Sequence, residues 1–444
     1  MPDDLANVIR TARNSRLLRV LLIGFLVLLL QVPILMIVGL IGERTARKTE
    51  AVEEVTGKWG KRQSIFGPAL VVPYLARWTD EDAKSGRTES RTDLRHATFL
   101  PEDLQIDGKA DSEVRFRGIF GVPVYRLTLQ AKGRFGPPDF SDWGIPAEDI
   151  QWERAELWVR ISDARAIQNS AALSWNGSEV AFAPGLGDFG GSGTGIHVPL
   201  RGRWTGGHFD FSFPLILNGS EEISFAPMGR GTRVTLGSNW PSPSFQGNWL
   251  PTERKIGPAG FEATWKISSL GRNYPQKWTS TTDQAGEIEK SKFGVDLFSS
   301  IDVYRLTGRS VKYEALFLLL TFLTLWMFEV LSKRRIHSLQ YILVGAAMCL
   351  FYLLLLSISE HTGFLIAYLL ASVAVAGLIT VYSAAVLGAA RRAAILGGIV
   401  AALYAYLYVL LNNEDYALLI GSVGLFLILA LVMYLTRKTD WSQA

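Results

Sequence analysis

One cysteine, Cys349, stands among 444 residues, which excludes a disulfide framework and any cysteine-rich metal site. The five histidines are His96, His197, His208, His337 and His361, and no two sit at H-x-x-x-H spacing. Zinc ligation is therefore not expected. Neither a G-x-S-x-G elbow nor a Cys/His nucleophile set is present. Acidic runs such as Asp80-Glu81-Asp82 and Glu221-Glu222 read as solvated loops and turns rather than glycosidase carboxylates. Residues 185–195 (Gly-Leu-Gly-Asp-Phe-Gly-Gly-Ser-Gly-Thr-Gly) precede no Lys-Ser or Lys-Thr and read as a surface loop, not a phosphate cradle. No catalytic residue, metal site or cofactor is expected, and the chain reads as a non-enzymatic protein.

Charge is scarce too, at 19% of residues, and it is absent from long windows. Val20–Gly42 carries none, enough helix at about 1.5 Å per residue to cross a hydrocarbon core of roughly 30 Å. Arg10, Arg13, Arg16 and Arg19 precede it and no A-x-A-like cleavage site follows, so it reads as an uncleaved signal anchor with Pro33 a tolerated kink. Five further windows qualify: Ala315–Ser332 (with Glu329), Ser338–Ser359, Thr362–Ala390, Ala393–Asn413 and Tyr416–Thr436. None of the 18 prolines lies beyond Pro275.

The connecting loops orient these spans. Lys333, Arg334, Arg335, then Arg391, Arg392, then Arg437, Lys438 alternate with Ile358–Gly363 and Asn412–Asp415, which have no Lys or Arg. By the positive-inside rule both termini are cytoplasmic and residues 43–314 are periplasmic. Basic and acidic side chains are equal in number within 43–314, so the net charge of +4 belongs to the edges of the spans and implies no nucleic-acid partner.

The external insert begins as a helix-prone stalk over residues 43–66, with Val52, Val55 and Trp59 on one face. Beyond it, Val122–Phe135, Ala155–Ile161, His208–Leu217, Glu222–Phe225, Thr232–Leu236 and Phe261–Ile267 suit strands, as in the alternating Glu156-Leu157-Trp158-Val159-Arg160-Ile161. The expected fold is a bundle of six transmembrane helices with a large, mainly antiparallel, sandwich-like β domain inserted between the first and second. Its divisions are a cytoplasmic segment 1–19, signal anchor 20–42, stalk 43–66, periplasmic β domain 67–314, five-helix bundle 315–436 and cytoplasmic tail 437–444. One large sandwich and two fused lobes both fit. Asn176-Gly177 and Asn218-Gly219 open similar stretches and suggest a repeated hairpin, since Asn-Gly favours two-residue turns. Eleven of the 13 tryptophans lie in the insert, mostly as core residues of a domain without disulfides.

Within the membrane, Glu329 is expected to pair with Lys333 at i+4. No other charge enters a window and no broken helix is visible, which argues against an ion-coupled transporter. Ala371, Ser372, Ala374, Ala376, Gly377, Gly397 and Gly398 have the composition of tight helix packing or homo-oligomeric association. Tyr404 and Tyr408, one turn apart, read as bundle-packing residues. Glu360 and His361 fall in the outer loop after the third span and are the candidates for coupling the β domain to the bundle.

The sequence resembles the CreD-like inner-membrane proteins of Gram-negative bacteria over nearly its whole length. The resemblance rests on Trp59-Gly-Lys-Arg-Gln-Ser-Ile-Phe-Gly-Pro-Ala-Leu-Val-Val-Pro-Tyr74, Ile119-Phe-Gly-Val-Pro-Val-Tyr125, Trp240-Pro-Ser-Pro-Ser-Phe245, Val311-Lys-Tyr313, and Gln340-Tyr-Ile-Leu-Val-Gly345 continuing to Phe351-Tyr-Leu-Leu-Leu-Leu-Ser-Ile-Ser-Glu-His361. One departure is Ser338, where the family has Pro in a His-Pro-x-Gln-Tyr run; it bears on the first turn of the third span. The resemblance implies a role in cell-envelope integrity and the envelope stress response, expression tied to a two-component system, and effects on properties such as colicin tolerance. It implies no catalytic residue. The expected partners are the lipid bilayer and, through the β domain, a periplasmic protein, peptidoglycan or a lipopolysaccharide component. The alternatives are a lipid or small-molecule transporter and a periplasmic glycan or lipid hydrolase.

Overall fold

The computed structural model describes residues 16–81, 88–191, 193–203, 207–297, 302–332 and 336–437. Two compact units emerge, Met1–Thr49 with Ile301–Ala444, and Glu50–Ser300. The helices in chain order are α1 Arg16–Trp59, α2 Ala285–Lys290, α3 Val303–Val311, α4 Glu314–Ser332, α5 Ser338–Thr362, α6 Phe364–Leu387, α7 Ala390–Asn412 and α8 Ala417–Thr436.

In the helical unit α1, α5, α6, α7 and α8 are each long and apolar enough to cross a membrane. The remaining expected span is different in kind. Helices α3 and α4 meet the criterion only together, and they are bent by 46°. The break falls before the expected window, and α4 itself runs uninterrupted from Glu314 to Ser332, as the sequence suggested from Ala315. Asp302 caps α3 by accepting from the backbone N–H of Tyr304 and Arg305. At the other end the N–H groups of Lys312 and Tyr313 bond to the carbonyls of Arg309 and Ser310, which tightens the last turn before α4 resumes at Glu314. The buried residues of α3 are Tyr304, Thr307, Ser310 and Val311, three hydroxyl side chains at helical spacing.

Of the small residues, Ala371 and Gly397 lie in close helix packing, whereas Ala374, Gly377 and Gly398 are exposed. A Cβ on Gly397 of α7 would lie 1.9 Å from Thr380 Oγ1 of α6. Beside them the Tyr368 hydroxyl donates to the Tyr404 carbonyl at 2.6 Å, and Tyr408 packs its ring on Tyr368. Ser338 does not disturb the start of α5, because His337 and Gln340 form a reciprocal capping box there. The divergence comes at the other end of α5. Helix α5 continues through Glu360 and His361 to Thr362, and Gly363 (φ +81°) alone turns the chain into α6. The six-residue outer loop expected from composition is therefore a helix terminus and one glycine.

The second unit is built of two sheets. One runs Pro243–Gly247, Phe293–Leu297, Glu222–Phe225, Gln63–Glu81, Glu156–Ile161, Gly195–Pro199, Ala183–Pro184, with Thr88–Phe99 also on Gln63–Glu81 and Lys277–Thr279 on Thr88–Phe99. The other runs Glu253–Gly257, Gly260–Ser268, Gly231–Ser238, Asp103–Arg117, Phe120–Phe135, Phe209–Ser220, Ala172–Trp175, Ser178–Ala181. Pairing is mostly antiparallel, but Gln63–Glu81 with Glu222–Phe225 and Gly231–Ser238 with Asp103–Arg117 are parallel, so both sheets are mixed. Leu70, Leu157 and Val295 of one sheet and Leu127, Leu215 and Trp265 of the other belong to one continuous core. A single sandwich results, in which each fully buried Leu or Phe side chain contributes about 1.5–3 kcal/mol.

Two sequence expectations need correction here. The stalk helix ends at Trp59 rather than reaching residue 66, because Gly60 sits at φ +151° and a Cβ there would lie 2.7 Å from the Asn218 carbonyl. Strand Gln63–Glu81 follows at once. The repeated hairpin is absent as well. Asn176 and Gly177, at φ 47° and 80°, do form a two-residue turn between Ala172–Trp175 and Ser178–Ala181. Asn218 and Gly219 instead lie inside Phe209–Ser220, where Gly219 leaves room for Tyr125: an added Cβ would be 2.3 Å from its ring. The turn that follows is made by Glu221, at φ 60°.

Candidate functional site

Of the two coupling candidates, Glu360 is held and His361 is not. The Arg44 guanidinium donates to Glu360 Oε2 at 2.7 Å, and the Tyr304 hydroxyl donates to Oε1 at 2.9 Å. The Glu360 side chain is 4% exposed. One turn along α1, Lys48 Nζ lies 3.1 Å from Asp302 Oδ2. Burial would raise the Asp302 carboxyl, but the Lys48 hydrogen bond and charge, with the backbone N–H groups of Arg305 and Tyr304, outweigh it and hold the group below the usual range. Glu360 therefore joins α1, α3 and α5 of the helical unit, whereas His361 is exposed. Glu329 is buried and accepts from the Tyr341 hydroxyl at 3.2 Å; its expected partner Lys333 lies outside the described residues.

A different site, unread in the sequence, lies in the β unit. In Glu156–Ile161 the side chains of Leu157, Val159 and Ile161 enter the core, so Trp158 and Arg160 share the opposite face. There they help line a cleft of about 270 Å³ with His96, Phe189, Trp278 and Glu289. The Arg160 guanidinium stands 5.9 Å from the Trp158 ring and donates weakly to the Gly190 carbonyl, at 3.4 Å. Its Nε is buried with no hydrogen-bond partner. His96 rests its ring against Phe189, 5.8 Å between centroids, and burial pushes its pKa down, which favours the neutral imidazole. Trp278 enters through the pairing of Lys277–Thr279 with Thr88–Phe99, opposite Thr98.

The glycine-rich stretch is thus one wall of the cleft, because Phe189, Gly190 and Gly191 line it. Small residues are required: a Cβ on Gly195 would lie 2.3 Å from the Val159 carbonyl. Beneath this loop Glu156 accepts from the Asp188 backbone N–H at 3.2 Å. Burial raises its carboxyl pKa, and the nearby His197 only partly offsets that. The one legible signal was Trp158 and Arg160 at i, i+2 on a strand whose other face is wholly aliphatic. Among the described residues no cluster of three or more His, Cys, Asp or Glu side chains is placed to hold a metal.

Several helices long and apolar enough to cross a membrane, together with a large β domain of two mixed sheets, fit a multi-pass membrane protein. The family described as "Inner membrane protein CreD" matches residues 15–442. The inner membrane protein CreD of Escherichia coli (strain K12) is 34% identical over 420 residues, covering 94% of this chain and 91% of that protein. The chain belongs to the CreD family of inner membrane proteins.

Proposed function

We propose that this protein supports cell-envelope integrity as part of an envelope stress response, without catalysis of its own, by binding an envelope component in the cleft of its β domain. The carrying observation is the convergence of Trp158, Trp278 and Phe189 with an arginine whose Nε has no partner. Aromatic faces stack on sugar rings while a guanidinium takes a carboxylate or phosphate, and peptidoglycan fragments offer both. In this reading both termini are cytoplasmic and residues 43–314 periplasmic, supported by the alternation of basic and uncharged loops. Glu360 serves the coupling of domain and bundle through its grip on Arg44 and Tyr304, which lie close to the points where the chain leaves and re-enters the helical unit. His361 stands beside it at the same helix end.

Purified full-length protein titrated with soluble muropeptides tests the reading by tryptophan fluorescence and calorimetry. Saturable binding is expected, weakened on the order of tenfold, about 1.4 kcal/mol, by either Trp278→Ala or Arg160→Ala. Binding indifferent to both substitutions, or its absence, removes the cleft from the account. Turnover of the fragments would replace it with a hydrolase.

A further inference from the structure

The carboxyl of Glu314 occupies a position that its place in the sequence conceals. It is the first residue of α4, at the break after α3, and it is 2% exposed. Its Oε2 accepts from Gln31 Nε2 at 3.0 Å, while its Oε1 is buried with no hydrogen-bond partner. Gln31 is the central residue of the uncharged Val20–Gly42 run. The ionisable side chains of α5 that interact with Glu314 are the buried Cys349 and Tyr352, about one turn apart. Cys349 lies eleven residues along α5 from Glu360, roughly 16 Å beneath it. Both measures put Glu314 near the middle of a hydrocarbon core of about 30 Å. No cationic side chain pairs with it among the described residues.

We propose that Glu314 is a proton-binding site within the membrane, a carboxyl that takes up and releases one proton. An ionised carboxylate with one oxygen unsatisfied and no counter-ion is strongly disfavoured there, and protonation of Oε1 removes the charge. The balance is simple: a hydronium gives its proton to Oε1, a new O–H bond forms and water leaves; release is the reverse. The buried face of α3 supplies a path of matching chemistry. Tyr304, whose hydroxyl meets Glu360 at the outer helix ends, is followed by Thr307 and Ser310, and then by Glu314 past the break. Thr321, two turns further on, adds a buried hydroxyl without a partner. A metal cation is a poorer fit, since the described carboxylates, thiols and imidazoles form no cluster to coordinate one. A broken helix with an ionisable group at the break is the arrangement by which membrane proteins commonly bind a coupling ion. The proposal is independent of the cleft in the β unit.

Infrared difference spectroscopy of the full chain in lipid nanodiscs, across a pH series, tests it. A carboxylic-acid carbonyl band should appear as the pH falls, vanish in Glu314→Gln, and persist in Glu329→Gln and Glu360→Gln. Gln31→Leu, which keeps Glu314 and removes its hydrogen-bond donor, should displace the pH at which the band is lost, and this holds the test open if Glu314→Gln fails to fold. Spectra unchanged by Glu314→Gln, or a band unmoved by Gln31→Leu, overturn the proposal. A transition displaced by added sodium reassigns the site to a metal cation.

Discussion

Arg44 and Glu360 are 316 residues apart in sequence and 2.7 Å apart in space, and the Tyr304 hydroxyl completes the carboxylate's shell. The cluster ties Arg44 of α1 to Tyr304 in the first turn of α3 and to Glu360 in the last turn of α5. Removing its centre takes the carboxylate from a part-buried guanidinium and one hydrogen bond from the Tyr304 hydroxyl, whereas its neighbour His361 is exposed.

Glu360→Ala should accordingly lower stability by about 1–3 kcal/mol, the range for orphaning buried polar partners. His361→Ala should stay within about 0.5 kcal/mol of the parent. Thermal unfolding of the detergent-purified protein, together with protease sensitivity, distinguishes the two. Equal effects would show that Glu360 holds nothing in place.

Packing around Tyr125 makes a second expectation. This ring is fully buried, its hydroxyl donates to the Glu222 carbonyl at 2.6 Å, and Gly219 lies against it. Gly219→Ala should destabilise the protein by about 1–3 kcal/mol through overpacking, read as a lower denaturant midpoint. Gly118→Ala should not show this clash, because nothing lies within 4 Å of its Cβ direction, although φ +58° adds some backbone strain.

Two carboxylates of the β unit should respond to acid with opposite sign. Asp163 accepts from the Lys61 backbone N–H and from Arg165, and although burial works against its charge, these partners hold its pKa below the usual value. Its stabilising contribution is present above the ordinary carboxylate range near pH 4 and is lost as pH falls through the folded value. Asp163→Asn should therefore be less stable than the parent at pH 7, with the gap closing below about pH 4.

For Glu156 the folded pKa is raised, chiefly by burial, so its contribution is full below the ordinary value and disappears as pH climbs through the raised one. Glu156→Gln should match the parent in acid and exceed it near neutrality. Melting temperatures from about pH 3 to 8 check both carboxylates, and parallel curves would refute the assignment.

The apolar runs of α5 to α8 and the alternating strands were legible because each is written by a local pattern: length without charge in one case, period two in the other. The strand from Glu222 to Phe225 agrees with its sequence reading at both ends, since Glu221 must turn the chain before it. The Arg44–Glu360 pair, the Gln31–Glu314 pair and the approach of Trp278 to Trp158 and Arg160 were not legible, because the partners lie in separate runs of sequence and no local period joins them. Glu314 shows the difference most plainly. In sequence it is the last charge before an apolar run and reads as the water-facing edge of the insert. Only the packing of α3 against its neighbours, with hydroxyls turned inward, carries the preceding segment into the bundle and leaves that carboxyl buried beside Gln31. Composition decides which segments leave water, but the depth at which a given side chain comes to rest is decided by what the rest of the chain packs around it.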